Sequence, residues 1–302
     1  MGANWKEIAL EKQLEFKKKL GYTKSGVYGK KNQEYENFFH VTDAKKGANF
    51  YCYKDPKEWQ ELREWTKKDK GKRVNFENSG LCNMITSEHI PYNIFYPLEK
   101  LRISHPEQLN TFLELLFNNK IKVDSVSRIK IEFAGDIPSA QLLDDNTIFD
   151  AYIEYMDGEH KCGLGIEVKY TEKSYPYGKR EKDRMFNLED SIYHTLSQRS
   201  NFYKNETIPE LRVDQLKQLW KNHLLGLQMV DKKELDIFHS VLLYPEANQY
   251  QAEASIQYSK CLKDNRQQFF NPITFEKFII AAENVFGSLE DQSWISYFKE
   301  RY

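Results

Sequence analysis

One run of nine residues constrains the fold more than any other part of the sequence. In CGLGIEVKY, residues 162–170, apolar side chains recur at every second position. Because successive side chains of a strand point to opposite faces, this run predicts a strand with one buried face. That face consists of Leu164, Ile166, Val168 and Tyr170. The opposite face has two glycines, which we expect to leave open volume, beside Glu167 and Lys169.

The segments around this run predict the order helix, three strands, helices, strand. A helix that begins at His105-Pro106 has apolar residues at i, i+3, i+4, i+7 and i+8, which is the spacing of one buried face. The other predicted elements are strands at 126–133, 147–155 and 237–245 and helices at about 187–203 and 212–230. This order predicts an α/β domain whose mixed sheet is covered by helices.

The same alternation places further acidic residues beside Glu167. In the second strand we expect Asp150 on the face opposite to Phe149, Ala151, Ile153 and Tyr155. In the first strand we expect Glu132 on the face opposite to Ile129, Ile131 and Phe133. If the three strands are neighbours, Asp150, Glu167, Lys169 and Glu132 share one polar surface.

This combination of side chains suits metal-assisted hydrolysis. Two neighbouring carboxylates repel each other unless a cation lies between them, and oxygen ligands suit Mg²⁺ or Mn²⁺. A lysine beside them can approach a phosphoryl oxygen and offset the negative charge of the transition state. The alternative is an ion pair at a half-exposed sheet edge, worth about 0–1 kcal/mol. The short pattern [DE]-x-K does not distinguish a metal site from a surface ion pair, because it occurs six times in the chain.

The residues Phe149-Asp150 and GIEVKYTE at 165–172 resemble the core motif of the PD-(D/E)xK nuclease superfamily, in particular its restriction-endonuclease-like branch. Segments 87–98 and 215–226 are also similar to that branch. The resemblance implies an α/β, restriction-endonuclease-like αβββαβ core, with a mixed sheet flanked by helices. It also implies Mg²⁺-dependent cleavage of nucleic acid, with Asp150 and Glu167 as metal ligands and Lys169 as the catalytic lysine. Mn²⁺ is expected to substitute for Mg²⁺. Phe149 stands where the family has the proline of its name.

Three residues are auxiliary candidates for the same site. Glu132 would complete a metal shell from the first strand, and Glu172 follows the third strand; the alternative for each is an ordinary surface carboxylate. Gln215 is a candidate only because of the resemblance to the nuclease family. It shares a helix with Lys217 and His223, and we expect the polar residues of this helix on its exposed side.

A basic segment at 173–184 directly follows the predicted catalytic strand. It contains Lys173, Lys179 and Arg180, interleaved with tyrosines. Such a segment can contact phosphates and stack on bases, so we expect these three residues to bind nucleic acid. The rival interpretation is a flexible surface loop.

Three regions are predicted along the chain. Residues 1–86 form a mostly helical N-terminal extension, 87–245 form the nuclease core, and 246–302 form a helical C-terminal extension packed on the core. An additional hypothesis assigns residues 1–86 to association with another protein.

Charge and composition restrict the function classes further. Lys and Arg number 44 and Asp and Glu 45, for a net charge of −1, so no global positive field indicates nucleic acid, although a local basic groove remains compatible with it. The four cysteines are far apart in the sequence, which excludes zinc-ribbon spacing and favours reduced thiols in the cytoplasm. We also expect no membrane segment.

The leading hypothesis is a metal-dependent DNA endonuclease of restriction or defence type. Its partner is DNA, and cutting of both strands favours a homodimer. The alternative is a non-catalytic nucleic-acid-binding module on a nuclease-derived fold.

Overall fold

The computed structural model of the chain describes residues 4–28, 33–70, 79–174, 176–186, 191–290 and 292–302. Its α-helices are α1 (Trp5–Lys19), α2 (Val41–Ala44), α3 (Pro56–Lys70), α4 (Ser79–Cys82), α5 (Ile90–Ser104), α6 (Pro106–Leu116), α7 (Lys179–Phe186), α8 (Ile192–Ser200), α9 (Lys217–Asp231), α10 (Gln249–Cys261), α11 (Phe275–Phe286) and α12 (Ser293–Arg301). Its strands are β1 (Ser25–Tyr28), β2 (Gln33–Phe39), β3 (Ser125–Phe133), β4 (Phe149–Asp157), β5 (His160–Val168), β6 (Ile237–Tyr244) and β7 (Phe270–Thr274). None of these described helices combines the length and apolar character that crossing a membrane requires.

The described residues form a central sheet with the strand order β3-β4-β5-β6-β7. Strands β3, β4 and β5 are antiparallel neighbours, whereas β6 and β7 run parallel to β5. The predicted α/β fold with a mixed sheet flanked by helices is therefore confirmed. Because β5 and β6 are parallel, the intervening α9 returns in the opposite direction, and its first turns lie near the carboxyl end of β5.

Both terminal regions contain strands beside their helices. Strand β7 lies within residues 246–302, a region predicted to be helical, and it pairs in parallel with β6 at the edge of the sheet. Its sequence FNPIT contains Pro272, which a strand tolerates at an edge and which weakens the strand signal. Residues 1–86 likewise include the hairpin β1–β2 beside their helices.

The apolar face of β5 is confirmed. Leu164, Ile166, Val168 and Tyr170 are at most 4% exposed and belong to one hydrophobic core. The helices that contribute to this core are α1, α2, α3, α4, α5, α6, α11 and α12. Both terminal regions therefore bury apolar side chains against the same sheet face as the central strands.

Two phenylalanines lie on the face opposite to the predicted one. Phe133 and Phe149 were expected beside Ile131 and Ala151, but both pack in a second core with Tyr152. In β3 the cause is Glu132, whose φ of 51° lies in the left-handed region and interrupts the alternation of side chains.

The prediction of open volume beside the glycines of β5 is wrong, because side chains of the second core fill that space. A Cβ atom at Gly165 would lie 2.5 Å from the ring of Phe149 and 2.6 Å from that of Phe238. A Cβ atom at Gly163 would lie 2.7 Å from Leu235. Because the glycines have no side chains, aromatic and aliphatic side chains of the core pack directly against the backbone of β5. The first polar side chain after the glycines on this face of the strand is that of Glu167.

Candidate active site

Asp150, Glu167 and Lys169 lie together at the carboxyl end of β5. Ala151 of β4 pairs with Ile166 of β5, so Asp150 and Glu167 are the next residues of two antiparallel neighbours. Asp150 Oδ2 accepts the backbone N–H of Val168 at 2.7 Å. Lys169, the first residue after β5, forms an ion pair with Glu167 Oε1. The shared face predicted from sequence thus places two carboxylates and one ammonium in a single cluster.

Carboxyl groups outnumber ammonium groups in this cluster. Burial and the neighbouring Glu167 raise the pKa of Asp150 well above its ordinary value. Burial alone would lower the pKa of Lys169, but the carboxylates of Glu167, Asp150 and Glu172 raise it above its ordinary value. The lysine therefore stays charged, and one ammonium faces three carboxyl groups.

Asn222 of α9 is part of the site, although the sequence pattern did not single it out. Its side-chain amide donates a hydrogen bond to Glu167 Oε2, while Lys169 occupies Oε1. Asn222 is 5% exposed and lies on the buried side of the helix with Leu219 and Gly226. The signal available in the sequence was a polar residue at an apolar position of an amphipathic helix.

The side chains of this cluster differ in their exposure. Glu167 is 4% and Lys169 is 5% exposed, whereas Asp150 is only partly buried. Asp150 is therefore the most accessible of these three residues.

Glu132 and Glu172 lie at the border of the cluster. Glu132 is exposed, and it accepts a hydrogen bond from the hydroxyl of Tyr92 at 3.3 Å. Burial and Glu132 raise the pKa of Tyr92 well above its ordinary value, and Asp150 contributes to the same shift. Glu172 accepts hydrogen bonds from the backbone and the hydroxyl of Ser87 and from the backbone N–H of Tyr170. These contacts fasten the chain after β5 to the start of α5.

The remaining predicted residues lie outside the cluster. Gln215 donates a hydrogen bond to the carbonyl oxygen of Tyr250 at 3.2 Å. Lys173 is exposed and lies 6.0 Å from the ring centroid of Tyr250. Lys179 is exposed and lines an open cleft of about 620 Å³ together with Arg184 and Lys221. The side chain of Arg180 lies outside the described part of the chain.

Two polar residues of α9 are not on the exposed side where we expected them. Lys217 is 2% exposed, and His223 is fully buried with Nδ1 within hydrogen-bonding distance of the hydroxyl of Tyr258, 2.9 Å away. Burial lowers the pKa of His223 to about 3, which keeps the ring neutral. α9 is enclosed by the sheet on one side and by α8 and the 3-10 helix Asn205–Arg212 on another, so little of its surface remains for water.

The donor set fits a hard divalent cation. Asp150 and Glu167 supply carboxylate oxygens, and Asp150 Oδ1 accepts no hydrogen bond from the described residues. Burial and Glu167 raise the pKa of Asp150 although Lys169 opposes them, and a divalent cation between the two carboxylates would favour their charged forms. Within the described ranges no group of three or more His, Cys, Asp or Glu side chains is arranged to hold a metal. Two protein carboxylates, with other positions taken by water or substrate, is the arrangement usual for Mg²⁺.

Comparison with known proteins gives one match. The family model described as the PD-(D/E)XK nuclease superfamily matches residues 4–302, nearly the whole chain. No curated protein and no solved structure matches the chain.

Proposed function

This chain belongs to the PD-(D/E)XK nuclease superfamily, and from that membership we propose that it is a metal-dependent DNA endonuclease. Nucleases of this superfamily usually use divalent metal ions. The observation that carries the proposal is the cluster of Asp150, Glu167 and Lys169, in which carboxylates outnumber the ammonium.

In the proposed mechanism Asp150 and Glu167 are the metal ligands. A bound divalent ion would polarise the scissile phosphate and lower the pKa of the attacking water. Asn222 and Lys169 each hold one oxygen of Glu167 and so fix the orientation of its carboxylate.

Lys169 is the proposed catalytic lysine. Its ammonium stays charged beside the carboxylates and offsets the negative charge that develops on the phosphoryl oxygens. Water forms the new P–O bond, and the bond between phosphorus and the leaving sugar oxygen breaks. The partly exposed Asp150 lies where the phosphodiester enters.

The decisive test is cleavage of supercoiled plasmid DNA in Mg²⁺ by the wild type, by Lys169→Ala and by Glu167→Gln. We expect the wild type to cut and each variant to lose about 10²–10³-fold in rate, as when a group that stabilises transition-state charge is removed. Lys232→Ala is the matched control, because Lys232 is exposed at the end of α9, away from the cluster. Full cutting by Lys169→Ala, with circular dichroism unchanged, would remove the mechanism.

Binding of Mn²⁺ separates this proposal from a non-catalytic nucleic-acid-binding module. We expect the wild type to bind Mn²⁺ in calorimetry and Asp150→Asn to bind it more weakly. Absence of Mn²⁺ binding by the wild type would favour the non-catalytic module.

We propose a restriction or defence function, a homodimer and a cytoplasmic location, the last supported by four cysteines that are all free and buried. Digestion of methylated and unmethylated plasmid with mapped ends tests the first part. Gel filtration tests the second, and fractionation of cells tests the third.

A further inference from the structure

Two cations at the start of α9 have buried nitrogen atoms without hydrogen-bond partners. Arg212 ends the 3-10 helix Asn205–Arg212 and is 8% exposed, and Lys217 is the first residue of α9 and is 2% exposed. Within the described part of the chain, no acceptor bonds to Arg212 Nε and Nη2 or to Lys217 Nζ. A buried donor without an acceptor costs about 1–3 kcal/mol, and native proteins contain few of them.

Aromatic side chains of the segment 176–186 cover both cations. The hydroxyl of Tyr177 donates to the carbonyl oxygen of Arg212, and the centroid of its ring lies 3.8 Å from Lys217 Nζ. Phe186 contacts Tyr177 edge to face, with 5.4 Å between centroids, and lies 6.0 Å from the Arg212 guanidinium. Phe186 is 47% exposed, so one of the covering rings is open to solvent.

The carboxylates nearby do not satisfy these donors. Asp214 and Glu181 lie 3.6 Å and 3.7 Å from Lys217 Nζ, which is within ion-pair range but without a hydrogen bond. Glu181 lies closer to Lys221, at 3.0 Å. Among the described residues none forms an ion pair with Arg212. Within the described part of the chain, Nε and Nη2 of this guanidinium therefore have no acceptor, and the group has no ion-pair partner.

We propose that Arg212 and Lys217 form a binding site for a phosphate group of the nucleic-acid backbone, an inference that rests on the proposed function. A phosphate carries the charge and the acceptor oxygens that an arginine fork and an ammonium bind best. The exposed ring of Phe186 is placed to stack on a base of the same strand. Lys217 lies on α9, the helix that also carries Asn222 of the candidate active site.

The first experiment measures the melting temperature of the full chain with and without inorganic phosphate at constant ionic strength. Its variants are Arg212→Met and Lys217→Met, with Lys232→Met as the control from the exposed end of the same helix. We expect phosphate to raise the melting temperature of the wild type and of the control, and to leave both variants unshifted. Without phosphate the two variants should melt no lower than the wild type, because methionine removes a donor that had no acceptor.

The second experiment measures binding of a fluorescein-labelled 20-base-pair DNA duplex by anisotropy in EDTA. We expect Kd to rise at least about tenfold in Arg212→Met and in Lys217→Met and to stay within twofold in Lys232→Met. The slope of log Kd against log salt should fall by about one unit for each backbone phosphate that a variant no longer binds.

The outcomes separate the inference from the proposed function. Duplex affinity that is unchanged in both variants, while the wild type binds and cuts DNA, would overturn the inference and leave the function standing. If the variants lose only the response to inorganic phosphate, the site takes free phosphate and the assignment to a nucleic-acid backbone is overturned. A wild type that binds no duplex in EDTA and cuts none in Mg²⁺ overturns both the function and that assignment.

Discussion

Lys169 and Tyr170 are neighbours at the end of β5, yet their side chains enter opposite surroundings. On the Tyr170 side, the hydroxyl accepts a hydrogen bond from Gln13, and the carbonyl oxygen accepts from Trp5 and Asn248. On the Lys169 side, carboxyl groups outnumber the ammonium that faces them. On the first side hydrogen bonds hold Tyr170 in a buried junction, and on the second side the excess of carboxyl groups leaves room for a cationic ligand.

The junction depends on a buried arginine. Arg301 is fully buried, and its guanidinium donates to Gln13, Asn49 and Tyr297. Since Gln13 also bonds Tyr170, both terminal regions are tied to the strand that carries the candidate site. The contrast teaches that a buried cation with saturated donors serves the fold, whereas one with open donors, such as Arg212, indicates binding.

The largest expected effect is the loss of stability in Arg301→Met. The change takes the arginine donor from Gln13 Oε1, Asn49 Oδ1 and the hydroxyl oxygen of Tyr297, each at a cost of about 1–3 kcal/mol. The carbonyl oxygen of Asn49 keeps its hydrogen bond from Asn93. We expect the free energy of unfolding in urea to fall by at least about 3 kcal/mol. Arg212→Met is the matched control and should lose nothing. Equal losses in the two variants would contradict the distinction between saturated and open donors.

The junction is also expected to weaken in acid. Burial and the nearby Arg301 hold the pKa of His89 well below its ordinary value, so the folded protein keeps this ring neutral. Because the unfolded pKa is higher, stability is lost as pH falls through about 6.5, by about 2 kcal/mol at pH 5 from this group.

Unfolding in urea at pH 7 and pH 5 checks this prediction. His89→Gln should lose about 2 kcal/mol less than the wild type between the two pH values, and the exposed-site variant His160→Gln should behave like the wild type. The variant His89→Gln keeps the acid sensitivity due to His223 and His239, whose pKa values burial lowers to about 3 and about 4. If the free energy of unfolding of His89→Gln fell between pH 7 and pH 5 by as much as that of the wild type, the prediction would be contradicted.

On the charged side, a smaller effect is expected from Asn222→Ala. The change removes the donor to Glu167 Oε2 and frees the carboxylate to turn. We expect Mn²⁺ affinity, measured by calorimetry, to fall about tenfold, as for other residues that orient a metal ligand. The control is Gln218→Ala on the same helix. An unchanged Mn²⁺ affinity in Asn222→Ala would show that Lys169 alone orients Glu167.

The smallest effect is expected from Trp5→Phe. The change removes one of the two donors to the carbonyl oxygen of Tyr170, while Asn248 keeps that oxygen bonded. We expect a loss of about 0.5 kcal/mol in urea unfolding and a change of less than twofold in DNA cleavage. A large loss of cleavage without a loss of stability would mean that the junction positions Lys169 through Tyr170, and the two sides would no longer be independent.

Local patterns predicted much of the central fold. The alternation in β5 and the helical spacing in α6 correspond to a strand and a helix with the expected buried residues. Alternation failed where one residue left the regular backbone: the positive φ of Glu132 sends Phe133 to the other core. Strand β7 was not predicted, because five residues with a central proline give almost no pattern.

The sequence alone determined the strand that carries Glu167 and Lys169, because the direction of alternate side chains follows from the local geometry of an extended backbone. The tertiary structure decided which groups meet them. It brought Asn222 to Glu167 across 55 positions and buried Arg212 and Lys217 beneath Tyr177. Burial and pairing depend on the packing of elements far apart in the chain, and no periodicity within one segment encodes that packing.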